Sequence, residues 1–180
     1  MSFQLRLDRK SCESRAVSVL NEAGVTKHPV RVDRIAKSHQ IKIRYEPLED
    51  ELSGMIFYKG DIPVIGVNAR HNANRQRFTI AHELGHFFLH SDVLKRGAHV
   101  DKVVTILNRD SEAARGVSNI EIEANQFAAE LLMPKYLITA FMDKNGLDIR
   151  MMPDDDIIAE MARAFRVSMT AIAIRLGTIF

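Results

Sequence analysis

The spacing of apolar residues along this chain predicts helices at both ends and a small β-sheet between them. Apolar residues recur at intervals of three and four before residue 40 and again after Pro134, as they do on the buried face of a helix. The predicted helical spans are 10–24, ended by Gly24, 32–39, 135–145, 154–165 and 168–178. Ile41–Tyr45 alternates apolar and basic residues, which predicts a half-buried strand. The order of helices, small sheet and helices predicts an α+β fold.

A β-hairpin is predicted after that strand. Met55–Tyr58 and Ile62–Val67 flank the turn-forming sequence Lys59-Gly60-Asp61. Pro63 has no backbone N–H and cannot donate to a strand ladder, so its strand is expected at an edge of the sheet. Such an edge is either blunted or able to pair with an extended peptide, and the sequence leaves both interpretations open.

Residues 73–90 are predicted to form a mostly buried helix, with possible N-caps in Asn72-Ala73-Asn74. Within it, His82-Glu83-Leu84-Gly85-His86 places two imidazoles at i and i+4, where both can reach one cation. Glu83 lies one residue further round, in a position to hold and deprotonate a water. This HExxH arrangement is typical of zinc peptidases. Two core histidines with ordinary hydrogen bonds are the less specific alternative.

Two other residues of this helix need their own interpretation. Gly85 lowers the helix propensity by about 1 kcal/mol relative to alanine, which is explained either by close approach of another backbone or by simple tolerance of the glycine. His90 lies eight residues after His82, about 12 Å along the helix axis, which is too far to share one metal with it. We therefore interpret His90 as a helix-terminal residue favoured by the helix dipole, and not as a ligand. The alternative is that His90 supports one of the metal ligands by a hydrogen bond.

A third metal ligand is expected from a second helix, predicted over residues 118–134. Glu121 shares a stripe with small and apolar residues, where a carboxylate is costly unless it binds a metal. We predict Glu121 as the third ligand and Asn125, one turn further, as a hydrogen-bond partner of a ligand. Glu123 is the alternative ligand or, more simply, a solvated surface charge. Ser118-x-x-Glu121 also fits a capping box, which would make Glu121 structural.

Two segments of this chain together resemble the ImmA/IrrE family of small bacterial zinc metallopeptidases. The segments are His82-Glu83-Leu84-Gly85-His86-Phe87-Phe88-Leu89-His90 and Glu121-Ile122-Glu123-Ala124-Asn125-Gln126-Phe127-Ala128-Ala129-Glu130-Leu131-Leu132-Met133-Pro134. The resemblance extends to Val32–Ala36, Ser53–Ile56, Ala162–Ser168 and Arg175-Leu176. Residues 91–118 depart from the family pattern because they are long and polar, and only Val103–Leu107 suggests a strand there.

The resemblance implies a compact zincin-like domain of the gluzincin type. In that domain His82, His86 and Glu121 would bind Zn²⁺, with Mn²⁺ as the alternative, and Glu83 would be the general base. It also implies a metal-dependent endopeptidase that cleaves a helix-turn-helix transcriptional repressor and so switches on mobile-element or stress-response genes. An oxyanion donor is expected as well. Three residues qualify by type: Tyr136, His99 and Arg77.

The composition fits one globular domain over residues 1–180, with a helical C-terminal part from about residue 135. The chain is 46% hydrophobic and 27% charged, and its formal charge of +2 is too small to imply binding to nucleic acid or a membrane. A single cysteine, Cys12, cannot form an internal disulfide and is expected in a structural helix. No secretory segment or long apolar span is visible, so a cytoplasmic protein is expected.

A different function is suggested by the C-terminal residues 156–176, which have the outline of a helix-turn-helix. On this alternative the protein would be a DNA-binding or repressor-binding regulator with a non-catalytic metal site. A helix that contacts base edges needs several polar side chains, whereas the second helix offers only Thr170, Arg175 and Thr178. We therefore expect this helix to pack against the core and not to bind nucleic acid directly.

Overall fold

The computed structural model describes residues 9–94, 99–102, 111–148 and 154–180. The helices in these ranges are α1 (Arg9–Glu22), α2 (Val32–Ser38), α3 (Ala73–Leu89), α4 (Ser91–Leu94), α5 (Ser111–Leu132), α6 (Lys135–Lys144), α7 (Asp155–Phe165) and α8 (Met169–Ile179). The strands are β1 (Lys42–Glu46), β2 (Leu52–Lys59), β3 (Ile62–Asn68) and β4 (His99–Lys102). The predicted α+β fold is confirmed. The strand expected at Val103–Leu107 lies outside the described residues.

Short-range sequence signals determine where several helices begin and end. Gly24 adopts a positive φ of 61° just after α1, a conformation that favours glycine and stops the helix. Asn72 caps α3, since its side-chain oxygen accepts a hydrogen bond from the backbone N–H of Arg75 at 3.0 Å. Asp154 and Ser168 cap α7 and α8 in the same way. These caps explain why the sequence predicted the spans well.

The four strands form one mixed sheet in the order β1-β3-β2-β4. The predicted hairpin is present: β2 and β3 pair antiparallel, and Gly60 occupies the turn with a positive φ of 64°. β4 adds to β2 antiparallel, whereas β1 adds to β3 in parallel. Among the strands that the structure describes, β1 and β4 are therefore the two edges.

The prediction that Pro63 marks an edge strand is wrong, because β3 lies between β1 and β2. Pro63 is paired with Tyr58 of β2, while the pairing with β1 begins one residue later, at Val64 with Lys42. Pro63 thus lies just beyond the end of the pairing with β1. Proline is tolerated near the beginning of a strand, where it removes no hydrogen bond to this neighbouring strand.

The helix that carries Glu121 begins earlier than predicted, at Ser111 instead of near residue 118. Ser118 is therefore inside α5 and is not its N-cap, so the capping-box interpretation of Glu121 is wrong. Residues 111–117 show no sustained apolar periodicity, so this part of the helix was not predicted.

Glycines allow α3 to pack tightly on both sides. On one side, a Cβ at Gly54 of β2 would lie 2.3 Å from Cγ2 of Thr79, so any side chain there would collide with α3. On the other side, a Cβ at Gly85 would lie 3.0 Å from both Cα and the carbonyl oxygen of Ala124 in α5. The close backbone approach considered for Gly85 is confirmed.

The buried apolar residues form a cluster that extends from Ala16 in α1 to Leu176 in α8. Cys12, predicted to lie in a structural helix, is buried in α1. Within the described ranges, no helix combines the length and the apolar character that a membrane span requires.

Candidate active site

Two histidines of α3 and one glutamate of α5 meet where these helices pack together. The Nε2 atoms of His82 and His86 are 3.0 Å apart. One carboxylate oxygen of Glu121 lies 3.2 Å from Nε2 of His82, and the other lies 3.4 Å from Nε2 of His86. Both histidines are buried, whereas the Glu121 side chain is 30% exposed. The structure thus brings together the three residues that the sequence singled out as metal ligands.

The spacing of these donor atoms fits a divalent metal ion. Zinc binds histidine nitrogen and carboxylate oxygen at about 2.0–2.2 Å, so two ligand atoms in a tetrahedral arrangement lie about 3.3–3.6 Å apart. The two Nε2 atoms are 3.0 Å apart, and each has one oxygen of the Glu121 carboxylate at 3.2 or 3.4 Å, so the separations are close to or slightly below this range. Nitrogen and carboxylate donors suit zinc and manganese alike. Three protein ligands would leave one coordination position open for a water.

Asn125 orients the first of these histidines. Its Oδ1 atom lies 2.9 Å from Nδ1 of His82. A carbonyl oxygen can only accept, so Nδ1 of His82 carries the proton and its Nε2 lone pair is directed at the candidate site. The hydrogen-bond partner predicted at Asn125, one turn after Glu121, is therefore present and acts on His82.

Asn125→Ala is expected to weaken metal binding by about 10- to 100-fold, the usual effect of losing a group that orients a metal ligand. The fold should be retained, since the substitution removes a single hydrogen bond from His82. Competition with a chelator of known affinity would measure the change. Gln126→Ala, at the next position of α5, is the matched control. Equal affinities of the Asn125→Ala variant and the wild type would show that His82 needs no such orientation.

Glu83, the predicted general base, is completely buried. It belongs to the part of α3 that packs on β2, and a Cβ at Gly54 would lie 3.6 Å from its Oε1 atom. Gly54 therefore leaves the space that the Glu83 carboxylate occupies beside the sheet. The requirement for a glycine at this position of β2 was not predicted from the sequence. The short motif Ser53-Gly54-Met55-Ile56 was the signal that could have indicated it.

Glu123 is not a solvated surface charge. Its carboxylate is buried and lies 3.5 Å from Nε2 of His90. His90 is the C-cap of α3, as its predicted helix-terminal position required. The expectation that Glu123 is a solvated surface charge is wrong, because its carboxylate is buried at the end of α3. Of the two carboxylates, Glu121 is the one grouped with His82 and His86.

Two of the three oxyanion-donor candidates are bound elsewhere. The Tyr136 hydroxyl donates to the carbonyl oxygen of Val25 at 2.7 Å, and burial raises the pKa of this tyrosine. The Arg77 guanidinium donates to the carbonyl oxygens of Val30 and Arg166, and burial lowers its pKa. For His99 the structure gives the backbone position alone, opposite Ile56 of β2.

The C-terminal helix α8 packs against α5 through a buried ion pair. The Arg175 guanidinium binds the Glu130 carboxylate and also donates to the carbonyl oxygen of Met133 at 3.1 Å. Burial lowers the pKa of Arg175. Of the three polar side chains considered for contacts with DNA bases, Arg175 is therefore committed to the interior, which supports the predicted packing role of α8.

An α+β domain in which two histidines of an HExxH helix meet a glutamate of the next long helix has the architecture of a zinc-peptidase-like domain. Residues 36–177 match the peptidase M78 family, described as the IrrE N-terminal-like domain. The chain belongs to this family, as its sequence motifs suggested.

Relatives of this chain include longer proteins. The chain is 34% identical over 114 residues to the radiation response metalloprotease IrrE of Deinococcus deserti, a match that covers 63% of this chain and 36% of that protein. It is 26% identical over 137 residues to the uncharacterized immunity region protein 2 of Bacillus phage phi105, covering 69% of this chain and 80% of that protein. This chain thus spans about a third of the length of the Deinococcus protein.

A solved structure with a similar fold is a transcriptional regulator of Mycobacterium tuberculosis. Its TM-score is 0.59 with 21% sequence identity, and the match covers 91% of this chain and 45% of that one. At this level of identity the likeness concerns the fold alone.

Proposed function

We propose that this chain is a metal-dependent endopeptidase that cleaves a helix-turn-helix transcriptional repressor. The observation that carries the proposal is the convergence of His82, His86 and Glu121 within 4.8 Å of one another, one residue away from the buried Glu83. His82, His86 and Glu121 would hold zinc, or manganese in its place.

The proposed chemistry divides the work between a metal and the side chains around it. When bound, a divalent ion acidifies a coordinated water and polarises a carbonyl oxygen. His82 and His86 present neutral nitrogens to the site, and Asn125 keeps His82 in the required tautomer. Glu83 accepts the proton of the attacking water and passes it to the leaving amine. Its complete burial in α3 holds the carboxylate in a fixed position for both transfers.

The choice of a repressor as substrate rests on the family. One relative is named a radiation response metalloprotease and another comes from a phage immunity region. Both names fit an enzyme that controls stress-response or mobile-element genes by removing a repressor. The segment that is cleaved must be flexible or locally unfolded, because a peptide bond within a rigid helix is not accessible to hydrolysis.

We expect the protein, supplied with zinc or manganese, to cut the repressor encoded next to its gene at one or few sites. Mass spectrometry of the mixture identifies the products, and the metal-free protein serves as the control. Casein tests for general proteolysis. Degradation of casein at a comparable rate would argue for a general peptidase. If the protein binds the repressor without cleaving it, and Glu83→Gln binds the repressor equally well, the result would instead support a non-catalytic regulator.

A further inference from the structure

An open groove of about 590 Å³ lies between α5 and α8, next to the candidate active site. We call it the α5–α8 groove. Its lining includes Ile122, Asn125 and Ala129 from α5, Ala171 and Ile174 from α8, and Phe78 from α3. Its volume is in the usual range of ligand-binding pockets, about 300–1,000 Å³.

The groove is continuous with the candidate active site. Asn125, which lines it, is hydrogen-bonded to Nδ1 of His82. The Phe78 ring, also in the lining, is stacked near the His82 ring with 6.4 Å between the ring centroids. Ile122 directly follows Glu121 in α5. A peptide bound at the three candidate ligands would therefore have neighbouring residues within reach of this groove.

The chemistry of the lining favours apolar side chains. Ile122 is 38% exposed and Ile174 is 64% exposed, so two large apolar side chains line the groove from different helices. Among the described residues, Glu13 and Arg175 are the charged groups of the lining, and Arg175 is neutralised by its ion pair with Glu130. Exposed isoleucines are common singly, but their convergence in a concave surface is typical of a binding site.

We propose that the α5–α8 groove binds an apolar side chain of the substrate next to the bond that is cleaved, and that Ile174 is a specificity-determining residue. This inference rests on the proposed peptidase function. The partner is a protein segment with a residue such as leucine, isoleucine, methionine or phenylalanine near the cleavage site. The side chain leaves water when it enters the groove, and this transfer favours apolar over charged residues.

Ile174 is suited to a test because its side chain is largely exposed, so charged residues can replace it without entering the core. The proposed experiment compares Ile174→Glu and Ile174→Lys with Met169→Glu and Met169→Lys. Met169 is the matched control, since it is also on α8 and 44% exposed but does not line the groove. The substrates are the neighbouring repressor and peptides that span its cleavage site, with leucine, glutamate or lysine next to the cleaved bond.

Wild-type enzyme is expected to prefer the leucine peptide. Both Ile174 variants should cleave that peptide with kcat/KM lowered by about tenfold or more, the usual range for a poor fit in an apolar pocket. Ile174→Lys should gain activity on the glutamate peptide, and Ile174→Glu on the lysine peptide, whereas the Met169 variants keep the wild-type preference. A merely structural role of Ile174 would not produce opposite changes in preference. Metal content and unfolding temperature should match those of the wild type.

The outcomes separate this inference from the proposed function. If wild-type protein cleaves the repressor and the Ile174 variants keep its full preference, the groove proposal is overturned while the peptidase function stands. If wild-type protein cleaves nothing, both fall. If the Ile174 variants change the oligomeric state in size-exclusion chromatography and leave cleavage unchanged, the groove is a contact between copies of this chain, which also overturns the proposal.

Discussion

Glu83→Gln is expected to slow peptide hydrolysis by about a hundredfold to ten-thousandfold while the protein keeps its metal. Glutamine has nearly the same shape as glutamate but cannot accept the proton of the attacking water. Because Glu83 is completely buried beside Gly54, the neutral amide fits the same space without a charge to desolvate. The proposed ligands His82, His86 and Glu121 are untouched. Cleavage of the repressor, followed by mass spectrometry, gives the rate, and elemental analysis gives the metal content.

Glu160→Gln is the matched control for this experiment. Glu160 is an exposed residue of α7, so the same chemical change there should leave the rate at the wild-type value. Full activity of Glu83→Gln would exclude Glu83 as the general base, whatever metal is bound. Loss of metal together with activity would mean instead that Glu83 supports the site structurally.

The parts of this structure that were predictable from the sequence depend on contacts within one helix or one turn. The positions of His82 and His86 on one face follow from helix geometry, and the cap at Asn72 and the turn at Gly60 are equally local signals. The choice of Glu121 between two carboxylates was also possible from the sequence. It shares a face with Ala124, and small residues allow α3 and α5 to approach closely.

The parts that could not be predicted depend on contacts between distant segments. Pro63 indicated where a ladder hydrogen bond is missing, but the place of β3 in the sheet is determined by its pairing with β1. Glu123 was expected to be solvated because it lies with Glu130 on a more polar side of the helix, yet its carboxylate is buried beside His90 at the end of α3. A single sequence carries no direct record of such long-range packing.

Glu121→Ala and Glu123→Ala are expected to affect different properties. Glu121→Ala should lose metal affinity, whereas Glu123→Ala should lose stability. A four-ligand zinc site binds with about 10–16 kcal/mol, so each ligand contributes about 3 kcal/mol, or a factor of about a hundred in affinity. Glu121 approaches both histidines at 3.2 and 3.4 Å. Since its side chain is 30% exposed, its removal should change the stability of the metal-free protein little.

Glu123 is the matched carboxylate for this comparison, two positions further along the same helix. The Glu123 side chain is buried beside His90, so Glu123→Ala removes this partner of a buried histidine and creates a cavity. The substitution should therefore lower the free energy of unfolding by about 2–5 kcal/mol. Its metal affinity should stay near the wild-type value. Metal titration with a competing chelator and thermal unfolding of the metal-free proteins measure the two effects separately. If Glu121→Ala keeps stoichiometric metal and Glu123→Ala loses it, Glu123 is the third ligand. Removal of a carboxylate that binds the metal must lower the affinity of the protein for that metal.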